Sequence, residues 1–369
     1  MSAASWDPIE AADLEALLSS TLSEAASLRA IRDPDEAPFR SRYTERELLR
    51  ALQQQASANA APLGLPTPPG GGGGSTERAR FIEAVAAARL GANLMDTEEG
   101  SAARPLLEGA VAVLVAGAGA RESDGAEALA IEALNRLGIL AANREDHAAS
   151  LALLQQALER YEPARRAVLA RADALSAVGD VRTSRRQLSA GAGAESADRE
   201  AAEGEAAAAR VAAGAAAVEE AHTLTCFYLA QAHGNDGDVR ESARWCLRTM
   251  QRQLDRRGGG EAGGGEHSFD AHEWARNAAS LSGYYSGEGQ YAAAERCLHA
   301  ADWVLKARRA EERRRLQREH EVEGRALRRG GGEGGGGGGG GGEAGRPVAL
   351  SGTQGEAPVD AAAAAAAAA

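Results

Sequence analysis

A chain of 369 residues with a formal net charge of −12 lacks the basic footprint of a general nucleic-acid binder, so nucleic acid is not an expected partner. Aromatic residues are only 4% of the total, so the core has to be built from Leu, Ala and Val. No apolar run approaches the roughly 18 residues of a membrane helix, and no secretory pattern opens the chain. The three dispersed cysteines, Cys226, Cys246 and Cys297, fit reduced thiols in the cytosol.

The spacing of Leu14, Leu17, Leu18, Leu22 and Leu28 predicts a first helix over 8–30, broken by Asp33-Pro34 and Pro38. A second helix is expected after Thr44, because Thr44 and Glu47 have the S/T-x-x-E spacing of a capping box. Leu48, Leu49 and Leu52 give that helix its apolar stripe, and the two make an N-terminal hairpin over 1–58. Residues 59–76 read as a Pro/Gly linker, since glycines 70–74 follow Pro62, Pro66, Pro68 and Pro69. Helical pattern resumes and fills 77–189. Residues 190–218 are Ala, Gly and Glu with almost no large apolar side chain; they read as a linker that could be helical on propensity alone. A second helical block covers 219–329, interrupted by glycines near 258–265. The tail, 330–369, is poly-Gly, then a mixed segment, then poly-Ala, and is expected to be disordered.

Inside the helical blocks a pattern recurs. Leu90-Gly91 precedes Ala103, Leu107 and Ala110; Leu137-Gly138 precedes Leu154 and Ala157. Leu229-Ala230 precedes Cys246, and Leu281-Ser282 with Tyr285 precedes Ala294, Leu298 and Ala301. Small residues at these positions let two helices approach closely, and large ones fill the gap between repeats. The expectation is an all-α, TPR-like right-handed α-solenoid of antiparallel helical hairpins, with longer repeats than a regular TPR.

No motif carries catalysis. The glycines at 70–74 lack the spacing and the lysine of a phosphate loop, and Lys306 is the only lysine in the chain. His267, His272 and Glu273 are near one another in sequence but form no HExxH, so a solvated loop is the better reading than a metal site. The cysteines read as small buried residues. Between 306 and 329, arginines alternate with glutamates at helical spacing, which suits a self-paired solvated helix. No catalytic residue, cofactor or metal is expected.

Seven segments are more specific than the repeat. They are Asp33-Pro-Asp-Glu-Ala-Pro-Phe-Arg-Ser-Arg-Tyr43, Leu90-Gly-Ala-Asn-Leu-Met-Asp-Thr-Glu-Glu99, Asn135-Arg-Leu-Gly-Ile-Leu140 with Arg144-Glu145, Phe227-Tyr-Leu-Ala-Gln231, Arg252-Gln-Leu254, Glu273-Trp-Ala-Arg-Asn-Ala-Ala-Ser-Leu-Ser282 and Glu295-Arg-Cys-Leu-His-Ala-Ala301. In this order they resemble the N-terminal half of the KIF-binding protein family. The resemblance implies a non-enzymatic solenoid that binds kinesin motor domains in a concave cleft and keeps them off microtubules, in the cytoplasm and at the cytoskeleton. Microtubule-associated proteins are a further partner class it implies. Carried over by alignment, the partner-binding residues are Tyr228, Gln231, Gln253 and Ser280. Tyr228 reads equally as a core aromatic or a contact; Gln231 and Gln253 are expected to be exposed. In the family a second, C-terminal solenoid completes the clamp; here poly-Gly and poly-Ala follow the fourth hairpin, which implies reduced affinity. A generic TPR scaffold or chaperone adaptor is the alternative, although its usual carboxylate clamp needs lysines this chain lacks.

Overall fold

The computed structural model describes residues 9–31, 39–60, 73–116, 125–188, 194–258 and 270–330. All regular structure among them is α-helical. The expected tail over 330–369 and most of the Pro/Gly linker lie outside the described residues. The chain divides into two compact units, Met1–Thr249 and Met250–Ala369.

The first unit is a run of helical hairpins: α1 (Ala11–Ala30) with α2 (Arg40–Ala60), α3 (Gly73–Asp96) with α4 (Gly100–Ala116), and α5 (Ala126–Ala142) with α6 (His147–Leu188). Next come α7 (Ala194–Asn235) and α8 (Val239–Gly258), the latter running past the unit boundary. From α1 to α7 each helix packs on the next, and α1 also meets α3, α3 meets α5 and α5 meets α7. Contacts between alternate helices are what stacking hairpins side by side produces, so this unit is a helical solenoid. Its core is shared between hairpins. Leu49 of α2, Leu90 and Leu94 of α3, Leu107 of α4, and Leu137 and Leu140 of α5 form one cluster. Ile131 and Leu134 of α5, Tyr161 and Val168 of α6, and Val211 and Val218 of α7 form another.

The small residues of the repeat sit at the closest helix approaches. A Cβ on Gly91 would stand 2.7 Å from Leu107 Cγ, and one on Gly138 would stand 2.9 Å from Leu154 Cγ. In the α7–α8 hairpin, Ser242 Oγ donates to Ala230 O at 2.7 Å across the same seam, between residues 12 apart in sequence.

The turns that follow α3, α5 and α7, and the turn at Gly289 in the second unit, are built one way. Glu98, Glu145, Gly237 and Gly289 each take a positive φ, between 62° and 86°. In each case the following N–H reaches back to a carbonyl of the preceding helix: Glu99 to Leu94, Asp146 to Ala141, Asp238 to His233, and Gln290 to Tyr285. This is the left-handed helix cap in which glycine is the favoured residue. Two of the four positions carry glutamate instead. Glu145→Gly is therefore expected to stabilise the fold by about 0.5–1 kcal/mol, and Gly237→Ala to destabilise it by about 1 kcal/mol. Urea unfolding of both variants checks the opposite signs.

Three local readings change. α2 begins at Arg40, four residues before the expected start, so Thr44 lies inside the helix and its Oγ1 donates to Arg40 O at 3.2 Å. The Thr44–Glu47 capping box does not form; Glu47 pairs with Arg50 instead. The stretch over 190–218 is helical from Ala194 and continuous with α7, because Val211 and Val218 find buried positions against α5 and α6. Gly73 and Gly74, read as linker, open α3.

The second unit comprises the end of α8, α9 (Ala271–Gly287) and α10 (Tyr291–Gly330). α9 and α10 pack as a hairpin, with Trp274, Ala278 and Leu281 buried on one and Ala294, Ala301 and Val304 on the other. Trp274 Nε1 donates to Met250 O at 3.1 Å, tying α9 to the end of α8. Asp270 caps α9, its carboxylate accepting from His272 N at 2.8 Å and Glu273 N at 3.1 Å. The hydrogen bond from Glu273 is the main reason the Asp270 carboxyl is held below its ordinary range. A lowered native value means the cap stabilises at neutral pH and loses that contribution as pH falls through it. Asp270→Ala should cost about 1 kcal/mol at pH 7 and progressively less in acid, measured by thermal melts across pH.

Candidate partner-binding face

Ion pairs join the first helices of the first three hairpins in the first unit. Arg78 of α3 pairs with Glu15 of α1; Arg89 and Asp96 of α3 pair with Glu132 and Arg136 of α5, at 3.0 and 3.4 Å. Between α6 and its neighbours, Arg160 pairs with Glu127 at 2.8 Å and Arg165 with Glu219 at 3.2 Å. Much of the acidic character of these helices is thus already matched within the fold. Pairs this exposed contribute little stability individually.

On α7 the expected contact residues belong to one stripe. Leu224, Phe227 and Tyr228 are half-buried, while Gln231 and Asn235 are exposed. Spacings of three and four residues put them on one side of the helix. Phe227 and Tyr228 meet edge to face with ring centroids 5.4 Å apart. Tyr228 also packs against the small cluster of Leu154, Leu229 and Ala232. Its ring is part of that packing, and the side chain is half-buried rather than fully enclosed. Leu224 and Phe227 were not singled out from the sequence. Partial exposure of apolar side chains next to a polar one cannot be distinguished from full burial by spacing alone.

The other two residues lie in the second unit. Ser280 is exposed on α9, and a Cβ on nearby Gly283 would meet nothing within 4 Å. Gln253, expected to be exposed, is half-buried at the end of α8, with its amide oxygen buried and meeting no donor among the described residues.

No group of three or more His, Cys, Asp or Glu side chains able to hold a metal occurs among the described residues. Cys226 is buried, and burial pushes the half-buried Cys297 thiol up, away from thiolate chemistry. His272 is exposed, and His267 lies outside the described residues. No described helix is long and apolar enough to cross a membrane.

Comparison with known proteins bears on what such a face could serve. A family model described as "KIF-1 binding protein C terminal" matches residues 272–330. The KIF-binding protein of Gallus gallus is 27% identical over 283 residues, covering 76% of this chain and 39% of that protein. The protein of the same name from Drosophila melanogaster is 26% identical over 274 residues, 74% of this chain and 39% of that one. The Danio rerio protein is 27% identical over 302 residues, 76% and 42%. These matches support the KIF-binding protein family. The chain spans about two fifths of the length of the curated relatives it matches. The family model falls on α9 and α10, whereas the α7 stripe lies outside it, so the stripe rests on the whole-chain likeness.

Proposed function

We propose that this chain is a non-enzymatic adaptor that binds kinesin motor domains and restrains their attachment to microtubules, acting in the cytoplasm on microtubule-based transport. Support comes from relatives named for KIF binding, together with the α7 stripe from Leu224 to Asn235. A half-exposed aromatic pair flanked by exposed amides is suited to a partner helix. The rings supply apolar area, and Gln231 is free to hydrogen-bond at the rim. A motor surface that must meet acidic tubulin is basic, and a solenoid of net charge −12 attracts it at long range. Because the ion-pair ladder matches many acids locally, the stripe itself supplies the short-range contact.

The test is binding of the chain to a panel of kinesin motor domains. Tyr228→Lys with Gln231→Lys is expected to weaken binding by about tenfold, or about 1.4 kcal/mol, by placing two cations against a basic surface. Binding should also weaken as salt rises. Retention of no motor at low salt, or equal binding by wild type and double variant, would remove this reading of the stripe. Gln253 and Ser280 are proposed as further contacts, to be tested by the same measurement with each replaced by lysine.

A further inference from the structure

α10 is far longer than its partner. It has 40 residues against the 17 of α9, about 60 Å of helix against about 26 Å. Every side chain from Glu311 to Val322 is exposed, so this part of α10 is solvated on all sides. Between Lys306 and Gly330, ten cationic side chains stand against five glutamates, in a chain whose total is −12.

A self-neutralising solvated helix would place each arginine three or four residues from an acid. This one does so only in part. Lys306 pairs with Asp302 at 2.6 Å and Arg315 with Glu319 at 3.0 Å. Arg308, Arg309, Arg313 and Arg314 form no ion pair among the described residues. Arg313 has no acid at three or four residues in either direction. Arg309 with Arg313, and Arg314 with Arg318, are like-charge neighbours one turn apart, an arrangement that weakens a free helix. Their repulsion is relieved when an anionic partner lies between them.

We propose that α10 from Lys306 to Val322 is a docking surface for an acidic polypeptide segment. Of the polyanions that could seek such a helix, this class fits best. A membrane would need an apolar face, but the exposed Leu316 and Val322 are six residues apart and point to different sides. Nucleic acid would also meet the excess negative charge of the rest of the chain, and no aromatic side chain interleaves the arginines. A narrow acidic peptide can engage the helix without approaching that excess.

The experiment titrates the full chain against a fluorescent twenty-residue Glu-rich peptide, with a Gln-rich peptide as control, and reads anisotropy. Binding of the Glu-rich peptide alone, falling steeply between about 50 and 300 mM salt, is expected. Replacing Arg309, Arg313, Arg314 and Arg318 together by Gln should weaken it about tenfold or more, and Arg313→Gln alone by a few-fold. These side chains are exposed, so circular dichroism should show unchanged helicity, and the single variant serves if the quadruple one does not fold. The proposal falls if the peptide does not bind at low salt, if both variants bind like wild type, or if phosphatidylserine vesicles or duplex DNA bind in preference. Motor binding in the same variants separates the two readings, because a basic motor surface gains nothing from these arginines.

Discussion

Asn93→Leu is expected to destabilise the first unit by about 3 kcal/mol, seen as an earlier urea midpoint with an unchanged slope. Asn93 is fully buried on α3 and is the centre of a polar network joining two hairpins. Its Nδ2 donates to Arg42 O and to Glu45 Oε2, both at 2.9 Å, and its Oδ1 accepts from Arg46 Nε at 3.2 Å. Glu45, 1% exposed, is also paired with Arg29 Nε at 2.6 Å and Arg42 at 3.3 Å. Arg46 reaches on to Thr97 and to Glu99 at 2.8 Å, and lies 4.9 Å over the Tyr43 ring. Leucine matches asparagine in volume but satisfies none of these groups. A carbonyl, a carboxylate and a guanidinium would each be left short of a partner away from water, at roughly 1–3 kcal/mol each before relaxation. Arg50→Ala, which breaks only the exposed pair with Glu47, should change stability by no more than about 0.5 kcal/mol. If the two substitutions proved equally mild, the network would be ornamental.

Gly91→Leu should cost about 2–3 kcal/mol through overpacking, and Gly138→Leu a similar amount. The Cβ alone would collide. On Gly91 it would stand 2.8 Å from Leu107 Cδ2 as well as 2.7 Å from Cγ, with Ala103 O at 3.4 Å. On Gly138 the neighbours are Leu154 Cγ at 2.9 Å, Cδ2 at 3.1 Å and Ser150 O at 3.5 Å. Leu107 and Leu154 are core side chains with little room to retreat. Gly109 of α4 is the control, since a Cβ there meets nothing within 4 Å. Gly109→Ala should stabilise by up to about 1 kcal/mol through helix propensity. Thermal melts that left all three variants alike would show that the glycines of the repeat are not at close helix contacts.

The Leu-Gly positions were legible because close approach of two helices demands a small residue at a fixed place in each repeat. Apolar periodicity likewise announced most of the helices. What escaped was set by distance along the chain. Thr44 and Glu47 have the right local spacing for a cap, yet Glu45 and Arg46 find their partners at Arg29, Asn93 and Thr97, and helix α2 extends to Arg40 to present them. The segment containing Asn93 was recognisable as a family motif, but nothing in it signals that the asparagine is buried against a helix 48 residues away. In 190–218 the scarcity of large side chains hid the two valines that anchor it. Of the candidate site, Tyr228 and Gln231 came from likeness to a family rather than from pattern, and only coordinates separate the half-buried ring from the exposed amide.

The four recurring turns also bear on how the molecule reaches its fold. Each closes a hairpin whose helices are adjacent in sequence, so it can form before any other hairpin is present. Low sequence separation makes such steps fast, and the slower event is the stacking of finished hairpins. A glutamate held at a left-handed φ, as at Glu98 and Glu145, burdens the early step. Glu145→Gly should therefore show its effect mainly as faster refolding, with unfolding almost unchanged, whereas Asn93→Leu, which breaks a network joining two hairpins, should chiefly accelerate unfolding.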